Sequence, residues 1–199
     1  MSSYNFGRTP IGIKRVNPEG GNEFQGRPII GRDTKISGGV YIGASAREAI
    51  VIDFNKDEYL LELFESVKSA SIDSTGKINK QFILKNVYDI VSKTMVADSQ
   101  AVKNLIAEEG LEKDTKVTLG LFISAGVGVC RHQNLACAAI LERFVEEGIL
   151  GGKVSIDRNT SSEGGHAWCR YTNSVGKVFI LDVTQNYIGE INHGEYWDY

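Results

Sequence analysis

Three side chains of the types that thiol chemistry requires stand at breaks between regular elements of this sequence. Cys130 follows Gly126-Val127-Gly128-Val129 and opens an apolar run. His166 follows Gly164-Gly165. Asp182 closes the apolar stretch Val178-Phe179-Ile180-Leu181. A cysteine is a strong nucleophile only as its thiolate. The start of a helix favours that form, because free backbone N–H groups and the helix dipole both attract negative charge. Gly126 and Gly128 permit a sharp approach and leave space over the sulfur for a peptide or acyl carbonyl, and the N–H of Cys130 is a candidate oxyanion donor. A paired imidazole keeps such a thiolate active, and an orienting carboxylate or amide fixes the imidazole. The expected set is therefore Cys130, His166 and Asp182.

The elements around these residues must deliver them to one place. Residues 135–141 contain no polar side chain, so the helix after Cys130 is expected to be buried nearly all round and to stop at Gly148. Residues 153–157 alternate as a strand, and residues 159–165 read as a polar loop. Strands are expected over residues 166–171 and 178–183, joined by a tight turn at residues 172–176. A turn centred on Ser174 sets His166 opposite Asp182, since both lie eight places from it. A slip of one residue would turn one of the two to the other face.

Upstream, residues 1–45 hold all three prolines and nine of the 22 glycines, which argues against a helix. They read as an irregular Gly/Pro-containing arm, or as an extended segment anchored by Ile29-Ile30 and Val40-Tyr41-Ile42. Residues 46–199 read as a single domain, with a helical part over 55–110 and the helix plus sheet over 117–199. The first helix is expected to start at Asn55, with Glu58 completing a capping box. A second carries Ile78, Phe82, Ile83, Val87, Ile90 and Val91 on one side. A third, capped by Asp98 or Ser99, stops at Gly110. Residues 117–123 form either a strand or a buried loop. The tail from Tyr187 to Tyr199 is either a last short strand with turns or a surface flap.

Other candidates carry two readings each. Gln133 and Asn134, in the first turn of the helix, are possible oxyanion or site-lining groups, as are Asn86, Gln100 and Asn104 upstream. Trp168 shares a strand face with His166 and either shields the ion pair or fills the core. His132 reads first as a packing residue and second as part of the site. Cys137 reads as a small core residue. Zinc binding by Cys130, His132, His166 and Cys169 is the competing chemistry. Its Cys-x-His spacing is unusual for a structural site, and His166 and Cys169 fall on opposite strand faces. No metal and no cofactor is therefore expected.

The 199 residues suffice for a substantial core, and 42% are apolar. The formal charge of −3, without a Lys/Arg cluster, gives no reason to expect nucleic acid or an anionic membrane as partner. Three cysteines in a chain of this size read as free thiols. With no apolar leader and no membrane-length run, a soluble cytoplasmic protein is expected; secretion without a signal, or delivery into a host, would leave no mark here. Oligomeric state is not legible.

Taken together, Gly128-Val129-Cys130-Arg131-His132, Gly165-His166-Ala167-Trp168 and Leu181-Asp182-Val183-Thr184 resemble the three signature blocks of the transglutaminase-like superfamily, a branch of the papain-like cysteine enzymes. The Cys-Arg-His block is similar to divergent bacterial members, and Val183 stands where the usual last block has proline. The resemblance covers about 40% of the chain, residues 117–190. It implies an α+β fold with the active-site helix packed on a small antiparallel sheet. It implies Cys130 as nucleophile, His166 as general base and acid, and Asp182 as orienting group, acting on a protein or peptide through a thioester. Members hydrolyse peptides, deamidate glutamine, crosslink glutamine to amines, or have lost activity. The sequence has no calcium-binding loop, so a protease or deamidase is the leading expectation. An amine-incorporating transglutaminase and a catalytically silent peptide-binding module are the alternatives.

Overall fold

A computed structural model describes residues 13–15, 22–43, 48–161, 164–191 and 197. The architecture is mixed α+β. In chain order the strands are β1 (Ile13–Arg15), β2 (Asn22–Phe24), β3 (Arg27–Pro28), β4 (Val40–Ile42) and β5 (Ala49–Val51). Helices α1 (Glu58–Ala70) and α2 (Lys80–Thr94) follow, then β6 (Val96–Ala97), α3 (Ser99–Glu108), β7 (Lys116–Thr118), α4 (Gly120–Ser124) and β8 (Val127–Gly128). The long helix α5 (Cys130–Glu146) leads into β9 (Lys153–Ser161), β10 (Gly164–Thr172), β11 (Val178–Asp182) and β12 (Tyr187–Glu190).

The last four strands make one antiparallel sheet in the order β12-β11-β10-β9. Helix α5 lies on it, and Leu135 to Leu141 are all fully buried. Ala167, Cys169, Tyr171, Leu181, Val154 and Ile156 share a core with that helix and with α1, α2 and α4. Trp168 and Ile180, which alternate with these, pack separately with Trp197. The two faces of the sheet thus have different cover. Gly148, in the left-handed region at φ +70°, ends α5 as expected.

Several local expectations change. Helix α1 starts two residues late: Asp57, not Asn55, is its cap and accepts from the N–H of Leu60 at 3.0 Å. Asn55 is occupied with a turn in which its N–H is bonded to Asp53. Leu60, Leu63, Phe64 and Val67 are buried, whereas Tyr59 is exposed. Helix α2 is capped by Asn79, so Ile78 precedes it, and Phe82 lies outside the buried Ile83, Val87 and Val91 stripe. Residues 117–123 are neither one strand nor a loop. Pairing with β5 ends at Thr118, and Gly120, whose N–H is held by Asp57 Oδ2 at 2.7 Å, starts the short helix α4. The polar stretch 159–165 is mostly strand: Asn159 pairs with His166, and Thr160 with Gly165.

The expected register of the β10–β11 hairpin is corrected. Thr172 pairs with Val178 and Cys169 with Leu181. The loop is held by the Asn173 N–H on Lys177 O and by the Asn173 side chain, which accepts from the N–H groups of Val175 and Lys177. Gly176 at φ +82° takes the last loop position and moves the centre from Ser174 to Val175. Continued by one pair, this register sets Asp182 opposite Trp168. His166 is then a diagonal neighbour on the same face, still within reach of a long side chain.

Of the two readings of the arm, residues 22–43 take the extended segment, with Ile30, Val40, Tyr41 and Ile42 buried as its anchors. Ile30, Ile36 and Tyr41 belong to the main core, and β4 joins β5 and β7 in a second sheet. The Glu142 carboxylate of α5 accepts from the N–H groups of Ile36 and Ser37. Residues 1–12, 16–21 and 44–45 of that arm lie outside the described residues.

Candidate active site

The residue that opens α5 is Cys130. Its preceding turn is built by Gly126, at φ +70°, and by parallel pairing of β8 with β6. No Ser, Thr, Asp or Asn side chain caps this helix. Instead Val129 donates its N–H to His132 Nδ1 at 3.1 Å. Because Nδ1 accepts, Nε2 carries the proton and donates to Glu48 Oε1 at 3.1 Å. The imidazole is fully buried and stacks on Phe122 with ring centroids 3.8 Å apart. His132 therefore braces the helix start and does not line an open site.

Arg131 reaches the same carboxylate. Its Nε and Nη2 lie 2.8 and 2.5 Å from Glu48 Oε1. Burial alone would raise the Glu48 pKa, but the bond from His132 and the charge and bonds of Arg131 bring it down to about 2. The pair is buried on both sides and ties the segment before β5 to the first turn of α5.

The structure brings Cys130, His166 and Asp182 together. Cys130 is half-buried. His166 Nε2 is 2.5 Å from Asp182 Oδ2, and the His166 ring is near enough to the Cys130 thiol for each to shift the other's protonation. Burial works against the Cys130 thiolate. It is outweighed by the neighbouring His166 ring, by the N–H of Ala167, and by the charges of His166 and Arg131, so the thiol pKa is lowered. Burial likewise disfavours a charged His166, but its bond to Asp182 and its coupling to Cys130 prevail and raise it from 6.5 to about 9. Both directions favour a thiolate–imidazolium pair.

Gln133 and Asn134 are buried and turned to other uses than oxyanion stabilisation. The Gln133 amide donates to Met95 O at 2.8 Å and accepts from the Thr184 hydroxyl at 2.8 Å. Asn134 Nδ2 donates to Ala167 O at 2.7 Å and to Asp182 Oδ1 at 3.3 Å, while its oxygen accepts from Val183 N–H at 3.0 Å. Asn134 thus locks α5 to the ends of β10 and β11. Asn86 on α2 donates to Ala70 O and Ser71 Oγ at the end of α1, and Gln100 to Asn104 within α3, so these amides are committed to the helical scaffold. Trp168 is fully buried with its ring centroid 6.0 Å from that of His166. Cys137 and Cys169 are buried, and burial pushes both thiols up. Among the described residues no group of three or more His, Cys, Asp or Glu side chains is placed to hold a metal ion.

Two participants were not foreseen. Glu48 lies far from Cys130 in sequence, next to residues 44–47, which fall outside the described residues. Trp197 donates its indole N–H to Asp182 Oδ2 at 2.9 Å. An aromatic-rich tail was the only signal for it. Of the two readings of that tail, residues 187–190 take the strand. His193 lies outside the described residues.

Comparison with family models, with curated proteins and with solved structures yields no match. Among the described residues no helix is long and apolar enough to cross a membrane.

Proposed function

We propose that the chain is a cysteine-dependent acyl-transfer enzyme of transglutaminase-like, papain-related type. It acts on a peptide bond or a glutamine side-chain amide, with water as the leading acceptor. The observation that carries this reading is the His166 imidazole held at 2.5 Å from Asp182 Oδ2 and coupled to the half-buried Cys130 thiol at the start of α5.

The chemistry follows from that arrangement. The Cys130 sulfur attacks the amide carbon, and a C–S bond forms as the carbonyl π pair moves to oxygen. The oxyanion meets the Cys130 N–H at the positive end of α5. His166 gives its proton to the departing nitrogen as the C–N bond breaks, leaving a thioester and a free amine or ammonia. Water then enters, His166 takes its proton, and the C–S bond breaks to release the carboxylic acid and regenerate the thiol. Asp182 holds the imidazole in one tautomer throughout.

The decisive measurement is the rate of Cys130 alkylation by iodoacetamide from about pH 4 to about pH 9, with intact-mass readout, compared with His166→Ala. A reactive plateau below the ordinary thiol range, lost by about tenfold or more at pH 6 in the variant, is expected. An ordinary thiol titration in the wild-type protein would overturn the reading. With activation in hand, incubation with glutamine-containing peptides should give cleavage or deamidation and a trappable acyl-enzyme. Efficient amine incorporation in preference to either would reassign the acceptor.

A further inference from the structure

The proposed mechanism leaves Trp197 unused, yet its indole reaches the centre of the site. Asp182 is fully buried and has four donors. Oδ2 takes His166 Nε2 at 2.5 Å and Trp197 Nε1 at 2.9 Å. Oδ1 takes Asn134 Nδ2 at 3.3 Å and the Gln185 N–H at 3.2 Å. An ionised carboxylate offers about two lone-pair sites per oxygen. All of them are filled, so the group is fixed against rotation and has no site for water. Trp197 is itself 8% exposed; it packs with Trp168 and Ile180, and its ring centroid is 4.0 Å from that of Tyr187.

We propose that Trp197 is a positioning residue for the His166–Asp182 pair, whose N–H occupies the second site on Asp182 Oδ2 and whose ring keeps water off that oxygen. This rests on the reading of Cys130, His166 and Asp182 given above. The two parts of the indole act in opposite senses on His166. The N–H stabilises the carboxylate anion and so loosens its hold on the imidazole proton. The ring excludes water and so strengthens the same ion pair. Trp197 thereby aligns the carboxylate while keeping the imidazolium able to release its proton to the leaving group.

Two substitutions separate these parts. Trp197→Phe keeps an apolar ring and removes the donor, so His166 should titrate higher by about half a unit or more. Trp197→Ala admits water, so His166 should fall towards its ordinary value. The measurement is an NMR titration of nitrogen-15 histidine-labelled full-length protein, with His166 assigned through His166→Ala and folding monitored by thermal melting. Among the described residues, the other titratable groups around the pair are Cys130 and Cys137 on α5, Cys169 on β10, Tyr88 on α2, and Tyr187 on β12, which pairs with Asp182 and lies against the Trp197 ring. They are unchanged in both variants, and Cys130→Ala removes the one that is coupled to His166.

Opposite shifts in the two variants support the proposal. A melting temperature that falls while the His166 midpoint stays put would make Trp197 a packing residue and overturn it. If Trp197→Ala fails to fold, the Phe variant decides alone, since an unmoved or lowered midpoint there overturns it as well. A raised wild-type midpoint with inert Trp197 variants defeats this inference only. A wild-type midpoint near the ordinary histidine value, with an unreactive Cys130, removes the proposed function and this inference together.

Discussion

Asn134 spans α5, β10 and β11 with a single buried amide. Its donor end serves Ala167 O and Asp182 Oδ1, and its acceptor end serves Val183 N–H. Asn134→Ala leaves a buried carbonyl and a buried N–H without partners, so a loss of about 2–4 kcal/mol in urea unfolding is expected. Asn134→Asp retains the shape but sets a carboxylate against the Asp182 carboxylate and a carbonyl. That variant should be less stable than Asn134→Ala at pH 8 and should recover part of the difference near pH 4, where a protonated aspartate can donate again. Equal stability of the Asp variant at the two pH values, relative to Ala, would mean that the 3.3 Å contact with Asp182 carries no energy. His132 and Arg131 illustrate the same economy at the helix start. Both have side chains chemically fit for a site, and both are used to fix the backbone that presents Cys130.

Among the elements, α5 was the most legible, because seven consecutive apolar or small residues between a glycine turn and Gly148 admit few other arrangements. The short helix α4 was not. Its apolar side chains suit a strand equally well, and what decides the matter is Asp57, 63 residues earlier, bonded to the Gly120 N–H. The same carboxylate caps α1, so Asp57 couples two helices that sequence pattern treats as unrelated. Burial raises its pKa, against the pull of those two N–H groups. A methyl group on residue 120 would sit 2.1 Å from Asp57 Oδ1. Gly120→Ala should therefore displace the carboxylate, uncap α1 and lower stability by about 2–4 kcal/mol in thermal or urea unfolding. Gly76→Ala is a useful contrast: its added methyl meets nothing, and only the strain of φ +78° is felt. A Gly120→Ala protein as stable as wild type would show that α1 and α4 are not joined through Asp57. The hairpin teaches a related lesson. Its existence was plain from turn residues and alternation, but its register depended on which loop position glycine fills, and Gly176 placed the centre one residue later than symmetry suggested.

At the scale of the whole molecule, the three residues of the proposed mechanism were legible because each sits where local composition changes: Cys130 opens α5, His166 follows two glycines in β10, and Asp182 closes β11. Glu48 and Trp197 were not, because each is remote in sequence from Cys130 and Asp182 respectively and neither has a local pattern to mark it. Glu48 matters most for how the parts join. It fastens the β4-β5-β7 sheet to the start of α5, while the antiparallel sheet is fastened to the same helix by Asn134. The Glu48 pKa is lowered from 4.5 to about 2 by His132 and Arg131, against the cost of its burial. A carboxylate held down in this way contributes stability that is complete above its unfolded value and disappears as the pH falls through the folded one. Glu48→Gln leaves the Arg131 charge buried without its counter-ion, so at pH 7 it should cost about 3–5 kcal/mol. That gap between wild type and variant should close between about pH 4.5 and about pH 2, as the wild-type carboxylate takes up its proton. Asp57 and Glu142, which burial shifts upward, titrate in both proteins and cancel in the difference. The measurement is a pair of urea-unfolding series across that range. Coincident curves would mean that the ion pair between the two sheets' shared helix and the segment before β5 makes no net contribution; converging curves would place the acid sensitivity of the fold at Glu48, the counter-ion of the residue next to the proposed nucleophile.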